Sequence, residues 1–160
     1  LLTVTDTRTI DNDKSGGILV NKFKEANHNL IERKICKDNK DDIVVILREW
    51  LKNEKIDVII TTGGTGLTGR DITPEALNEV AEKHIPGFGE IFRNISIKTV
   101  GTSAIQSRAC AVLSNGKYIF ALPGSSGGVT DAWEGILKHQ LDINHKPCNF
   151  VELFPRLKEK

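Results

Sequence analysis

The stretch that most limits what this chain can fold into runs from Ile56 to Ala81. Ile56-Asp57-Val58-Ile59-Ile60 is a short β-branched run of the kind that forms a buried strand. Thr61-Thr62-Gly63-Gly64-Thr65-Gly66-Leu67-Thr68-Gly69-Arg70-Asp71 follows, and then Thr73-Pro74-Glu75 open a helix continued by Ala76, Leu77, Val80 and Ala81. Thr73 is predicted as the N-cap, Pro74 suits the first helical position, and Glu75 brings a charge that a helix N-terminus favours. A strand that passes through a loop straight into a helix is the first half of a parallel crossover, so it points to an α/β fold. Gly63, Gly64, Gly66 and Gly69 are more glycine than a simple reversal of direction needs. Without a Cβ the backbone N–H groups can approach a ligand closely, and beside a helix N-terminus they favour an anion. We read the segment as a phosphate-binding loop with the carboxylate of Asp71 at its far lip; the competing reading is a glycine-rich turn without a ligand.

Known phosphate motifs do not fit. Gly64 and Gly69 have P-loop spacing, but Arg70-Asp71 stands where Lys-Ser/Thr is required. Gly64-Thr65-Gly66-Leu67-Thr68-Gly69 has G-x-G-x-x-G spacing, but the helix is predicted to open only at Thr73-Pro74, beyond the third glycine, so the dinucleotide fingerprint is weak. An oxidoreductase built on a dinucleotide fingerprint is therefore disfavoured.

The remaining chain alternates in the same way. Leu1–Thr5 reads as a first strand leading into Asp6-Thr7-Arg8, and Thr9–Gly17 as a mobile loop in which Asp13-Lys14-Ser15-Gly16-Gly17 can close over a ligand, a solvated surface loop being an equal reading. A helix is predicted over Gly17–His28, a strand over Asn29–Cys36, and a second helix with Ile43, Ile46, Leu47, Trp50 and Leu51 on one face, capped by Asp38 or Asp41. Pro86-Gly87 breaks the central helix, and Phe88, Ile91, Phe92, Ile95 and Ile97 mark another. Thr102–Arg108 is a short helical piece. Cys110–Leu113 and Tyr118–Leu122, joined through Asn115-Gly116, form the clearest hairpin. Pro123-Gly124-Ser125 leads into a last helix ending near Leu141, and the tail is expected to pack across the body. The fold class is α/β: a three-layer sandwich, mostly parallel, with helices on both faces and one antiparallel hairpin, in a single domain over residues 1–160. Asp6, Asp38, the Gly63–Asp71 loop and the Pro123–Gly128 loop all follow strand carboxyl ends, which line one edge of such a sheet and hold its ligands.

Composition narrows the partners. With 160 residues, 39% hydrophobic and 27% charged, the chain can bury a core, and a net charge of +1 gives no reason to expect nucleic acid. No apolar run approaches the ~20 residues of a membrane span. Cys36, Cys110 and Cys148 are dispersed and lack a C-x-x-C pair, which points to a reducing, cytoplasmic setting and away from zinc. The chain begins Leu1-Leu2 and holds no Met, so residues are expected to precede Leu1 and it is not read as a native N-terminus.

Two glycine-rich loops at one edge suit a ligand with several phosphates. Asp38 and Asp71 suit Mg²⁺ shared with those phosphates, and Arg70 and Arg108 suit phosphate oxygens. Gly124-Ser125-Ser126-Gly127-Gly128 has G-x-S-x-G spacing, but no local motif sets a His beside Ser126 or beside a Cys to activate it. His28, His84, His139 and His145 read as surface or capping residues, so no nucleophile is assigned. Phosphoryl or nucleotidyl transfer by positioning and charge stabilisation is as far as these residue types reach.

Several motifs resemble one family as a set. Leu2-Thr3-Val4-Thr5-Asp6-Thr7, Thr61-Thr62-Gly63-Gly64-Thr65-Gly66, Arg70-Asp71-Ile72-Thr73-Pro74-Glu75-Ala76 and Leu122-Pro123-Gly124-Ser125 look like the MoaB/MogA molybdenum-cofactor biosynthesis proteins, to which the gephyrin G domain is related. Phe88-Gly89-Glu90-Ile91-Phe92-Arg93, Gly101-Thr102-Ser103, Gln106-Ser107-Arg108 and Lys146-Pro147-Cys148-Asn149-Phe150 are similar to its MoaB branch. The resemblance spans essentially the whole chain. It implies a molybdopterin-binding fold assembled as a homotrimer or homohexamer, contact with other proteins of the pathway, and a cytoplasmic location. It also implies transfer of AMP from MgATP to molybdopterin with release of pyrophosphate. Asp38 and Asp71 correspond to the catalytic, metal-holding acids; Asp6, Ser15, Gly16, Thr62, Gly63, Gly64, Thr65, Gly66, Arg70, Pro123, Gly124 and Ser125 to nucleotide or phosphate contacts; and Ser103, Ser107 and Arg108 to the pterin side. Lys37-Asp38-Asn39 stands where the family often has Pro-Asp-Glu. A non-catalytic pterin carrier or scaffold is the alternative.

Overall fold

Strands and helices alternate from the first residues onward in the computed structural model, which describes residues 1–159. In chain order they are β1 (Leu2–Val4), α1 (Lys14–Glu25), β2 (Lys34–Cys36), α2 (Lys40–Lys52), β3 (Val58–Thr62), α3 (Thr73–Val80), β4 (Lys83–His84), α4 (Pro86–Val100), β5 (Cys110–Ser114), β6 (Lys117–Leu122) and α5 (Ser126–Ala132). A 3₁₀ turn at Gly101–Gln106 precedes β5, α5 runs on through a wider turn at Trp133–Leu137 to Gln140, and Val151–Arg156 closes the chain as 3₁₀. The six strands form one sheet in the order β2-β1-β3-β6-β5-β4. The β2–β1, β1–β3 and β3–β6 pairs are parallel, whereas β5 runs antiparallel to both β6 and β4. This is the mostly parallel sheet with one reversed hairpin that the alternation implied.

The sheet is buried on both faces. In β6, Tyr118, Phe120 and Leu122 pack with Leu19, Phe23, Phe88, Phe92, Val129 and Trp133 from α1, α4 and the last helical segment. Ile119 and Ala121 point the other way and join Ile43, Leu47, Trp50, Ala76 and Leu77 of α2 and α3. The period-2 alternation of a strand thus divides one apolar run between two cores. Asn115 (φ 47°) and Gly116 (φ 70°) make the tight turn of the β5–β6 hairpin. The tail packs across the first core through Phe150 and Phe154, which lie against Tyr118.

Several boundaries differ from the sequence reading, each for a local reason. Helix α1 starts at Lys14 because Asp13 caps it, accepting from Gly16 N at 3.0 Å. Ser15 and Gly16 are therefore buried in a first helical turn and do not belong to a mobile loop. Helix α2 is capped by Asn39, whose Oδ1 accepts from Asp41 N and Asp42 N, and not by Asp38 or Asp41. Thr73 is helical and not the cap; its hydroxyl donates to Gly63 O at 2.9 Å while Ile72 takes the cap position without a side-chain bond. The strand expected over Asn29–Cys36 pairs only at Lys34–Cys36. His84 lies in β4, a two-residue edge strand that no periodicity announced.

Candidate active site

Strand β1 sits between β2 and β3, so successive connections leave it in opposite directions. The crevice beyond β1 and β3 is the switch point at which such sheets take ligands. The loop after β3 turns into it at Gly63, where φ is +105° and a Cβ would lie 2.1 Å from Val4 O at the end of β1. Only glycine permits both the left-handed backbone and the contact. Thr73 then ties the loop to α3, its N–H donating to Gly64 O and its hydroxyl to Gly63 O.

The other carboxyl-end loops meet this one. A Cβ built on Gly64 would lie 3.3 Å from Asp38 Oδ1, on Gly66 2.8 Å from Asp71 Oδ2, and on Gly124 3.2 Å from Gly63 Cα. Thr62 donates its hydroxyl to Pro123 O at 2.8 Å, which joins the two glycine loops directly. Asp6 accepts from Asp38 N and pairs with Arg70. Ser125 caps α5 by accepting from Gly128 N. Positions from 4 to 125 thus share one edge. β5 enters the sheet at that edge, bringing Ser107, whose Oγ accepts from Ala109 N, and the exposed Ser103 just before it.

Arg108 is bound up within the protein. Its N–H donates to Thr65 O, its Nε to Gly66 O at 2.7 Å, Nη2 to Asp71 O, and both terminal nitrogens to the Glu75 carboxylate. Most of its donors are therefore committed to holding the loop on the start of α3. A role in gripping phosphate would have to use what is left.

The two central carboxylates are in different electrostatic states. Burial pushes the Asp38 carboxyl above its ordinary value, and the negative charge of Asp71 adds to that. Burial acts the same way on Asp71, but the Thr68 hydroxyl, the Gly66 and Thr68 N–H groups and Arg108 outweigh it and hold Asp71 below the usual range. Thr68 Oγ1 and N lie 2.7 and 2.9 Å from Asp71 Oδ2. Among the described residues no three His, Cys, Asp or Glu side chains converge as a protein-only metal cage would need. Two interacting carboxylates fit a hard divalent cation that takes its other ligands from phosphate and water. Burial raises the thiols of Cys36 and Cys110 to about 11, so both stay protonated and neither is a nucleophile.

A second polar cluster went unseen in the sequence. The side chain of Asp13 is wholly buried and accepts from Thr3 Oγ1 (2.7 Å), Arg33 Nη2 (3.0 Å), Ser15 Oγ (3.1 Å) and Gly16 N. Arg8 reaches over it, donating from Nη1 to Ser15 Oγ at 2.9 Å and to Gly124 O at 3.1 Å. Asp13 carried a readable signal, an acid placed before a helical repeat. Arg8 and Arg33 carried none, because their partners lie far off in the chain.

An open α/β domain with two glycine loops and two carboxylates meeting at its switch point has the architecture of a ligand-binding protein. The family described as a probable molybdopterin binding domain matches residues 1–143. Molybdenum cofactor biosynthesis protein B of Escherichia coli (strain K12) is 41% identical over 159 residues, covering 99% of this chain and 92% of the relative. The same-named protein of Staphylococcus aureus (strain COL) is 46% identical over 146 residues, covering 89% and 86%. A crystal structure of a molybdenum cofactor biosynthesis protein B superposes with a TM-score of 0.88 at 38% identity over 99% of this chain and 94% of that one. The tungsten cofactor synthesizing protein MoaB from Pyrococcus furiosus gives 0.75 at 34% identity over 83% and 85%. The chain belongs to the MoaB/MogA family of molybdenum cofactor biosynthesis proteins.

Proposed function

We propose that this protein binds molybdopterin and MgATP at the β1/β3 edge and transfers AMP to the pterin's terminal phosphate. An oxygen of that phosphate forms a bond to the α-phosphorus of ATP, the α–β bridging P–O bond breaks, and pyrophosphate departs. No protein nucleophile is needed, in keeping with the protonated thiols. The observation that carries the reading is the pair Asp38 and Asp71, each against a glycine of the same phosphate loop and close enough for one charge to disfavour the other. Asp38 and Asp71 would hold Mg²⁺ together with phosphate oxygens, and the ion would supply neutralisation of charge on the departing pyrophosphate. Backbone groups of Gly63–Gly66 and Pro123–Ser125 would bind and orient the polyphosphate, with Ser103 and Ser107 on the pterin side. Arg70 would be released from Asp6 to meet phosphate.

Pyrophosphate release from MgATP, with and without molybdopterin, tests this in the wild type and in Asp71→Asn. Pterin-dependent release that disappears in the variant and in excess chelator is the expected result. One observation favours the carrier reading instead: Asp71 is already engaged by Thr68. Tight pterin binding with no release from the wild type would establish that alternative. We further propose assembly as a trimer or hexamer in the cytoplasm, alongside other proteins of the pathway. The exposed Ile91, Ile97, Val100 and Ile105 on α4 and the turn after it support an interface, and light scattering should return a multiple of three chains.

A further inference from the structure

Three arginines stand around the junction of the two glycine loops, and their charges are balanced differently. Arg70 is paired with Asp6, and Arg108 with Glu75. Arg8 lies 3.7 Å from Asp13, but Asp13 is already matched by Arg33 at 3.0 Å. One buried carboxylate thus faces two guanidinium groups, and Arg8 carries the surplus positive charge. Its Nη1 is pinned by Ser15 Oγ and by Gly124 O, and Gly124 abuts Gly63 of the other loop. Nε and Nη2 find no acceptor among the described residues, and neither is buried. Their N–H groups lie along one edge of the guanidinium, the edge that fits two oxygens of a phosphate.

We propose that Arg8 is a phosphate-binding residue of this cleft, held in place by Ser15 and Gly124 and presenting Nε and Nη2 to the ligand. The inference rests on the reading of the cleft as a phosphate site. Its ligand is either the phosphate monoester of a pterin or the polyphosphate of a nucleotide, two sources of one chemistry. A purely structural Arg8, bracing the β1 loop against Gly124, is the competing account.

The test measures binding of pyrophosphate, MgATP and molybdopterin to the full chain as wild type, Arg8→Gln and Arg8→Lys. In Arg8→Gln at least one ligand should bind about 10- to 100-fold more weakly, the range for a lost charge-assisted bond. Arg8→Lys keeps the charge without the two-pronged edge, and should fall between. Loss confined to molybdopterin assigns the pterin phosphate, and loss confined to pyrophosphate and MgATP assigns the nucleotide. The side-chain Nε–H resonance of Arg8 should also move when wild type is titrated with the affected ligand, which a brace would not do. If wild type binds these ligands, and the folded variants bind them within about twofold with an unmoved Nε–H signal, the proposal is overturned. Should Arg8→Gln not fold, Arg8→Lys and the wild-type resonance decide in the same way. A wild type that binds phosphates through Arg8 but releases no pyrophosphate sinks the transferase and leaves Arg8 standing. A wild type that binds none of the three overturns both.

Discussion

Asp13 and Asp38 both follow strands that end at the carboxyl edge of the sheet, and they are held in opposite ways. Asp13 has no exposed side-chain surface and accepts from four groups, Thr3, Ser15, Gly16 and Arg33. Burial pushes its carboxyl up, but those bonds outweigh it and the value falls below the ordinary one. No side-chain donor from another described residue reaches the Asp38 carboxylate, and burial together with Asp71 raises it. A carboxylate with every lone pair engaged serves the fold. One left short of partners beside a like charge is poised for a ligand that brings positive charge.

Four substitutions sharpen this contrast. Asp13→Ala should have the largest effect, about 3–5 kcal/mol of stability lost in chemical denaturation, because the half-buried Arg33 loses its counter-charge and Thr3, Ser15 and Gly16 lose a buried acceptor together. A loss below about 1 kcal/mol would remove the structural role. Asp71→Asn should lower pterin-dependent pyrophosphate release by roughly 100-fold, as loss of one electrostatic group at a reacting centre does, with little change in unfolding. Full turnover in that variant would remove Asp71 from the metal site. Asn39→Ala should cost about 0.5–2 kcal/mol as a lost helix cap and leave turnover intact. Arg48→Ala, at an exposed pair with Glu79, should change stability by at most ~1 kcal/mol.

The two acids also separate by pH. The lowered Asp13 contributes stability that is present above its ordinary value of 3.8 and disappears as pH falls through its folded value. Asp38 acts in the reverse sense. Its raised folded value means the unfolded chain ionises first, so stability is lost as pH rises from about 3.8 through that value. Unfolding measured from pH 3 to 6 should therefore show Asp13→Asn less stable than wild type at the upper end and Asp38→Asn equal or more stable there. Matching curves for the two variants would break the comparison.

The parts legible from sequence were those coded locally. Alternating strand and helix patterns marked the α/β class, the apolar run of β6 and the Asn115-Gly116 turn marked the hairpin, and the glycines after β3 marked a loop that meets others at the carboxyl edge of the sheet. Asp38 and Asp71 were legible because each follows a strand whose carboxyl end must lie at that edge. The edge strand β4 escaped because two residues carry no period, and the start of α1 escaped because Ser15-Gly16-Gly17 has the composition of a loop.

Local periodicity and backbone freedom depend on neighbours in the chain, so the amino-acid order alone settled the layers, the glycine loop and the acids at its rim. Long-range pairing does not. That Arg108 is drawn onto Gly66, Asp71 and Glu75, that Asp13 is matched by Arg33, and that Arg8 is left with open donors beside Gly124 follow from which strands lie side by side. A charge acquires its role from the partners that folding brings within a few ångströms, and those partners stand up to 116 positions away.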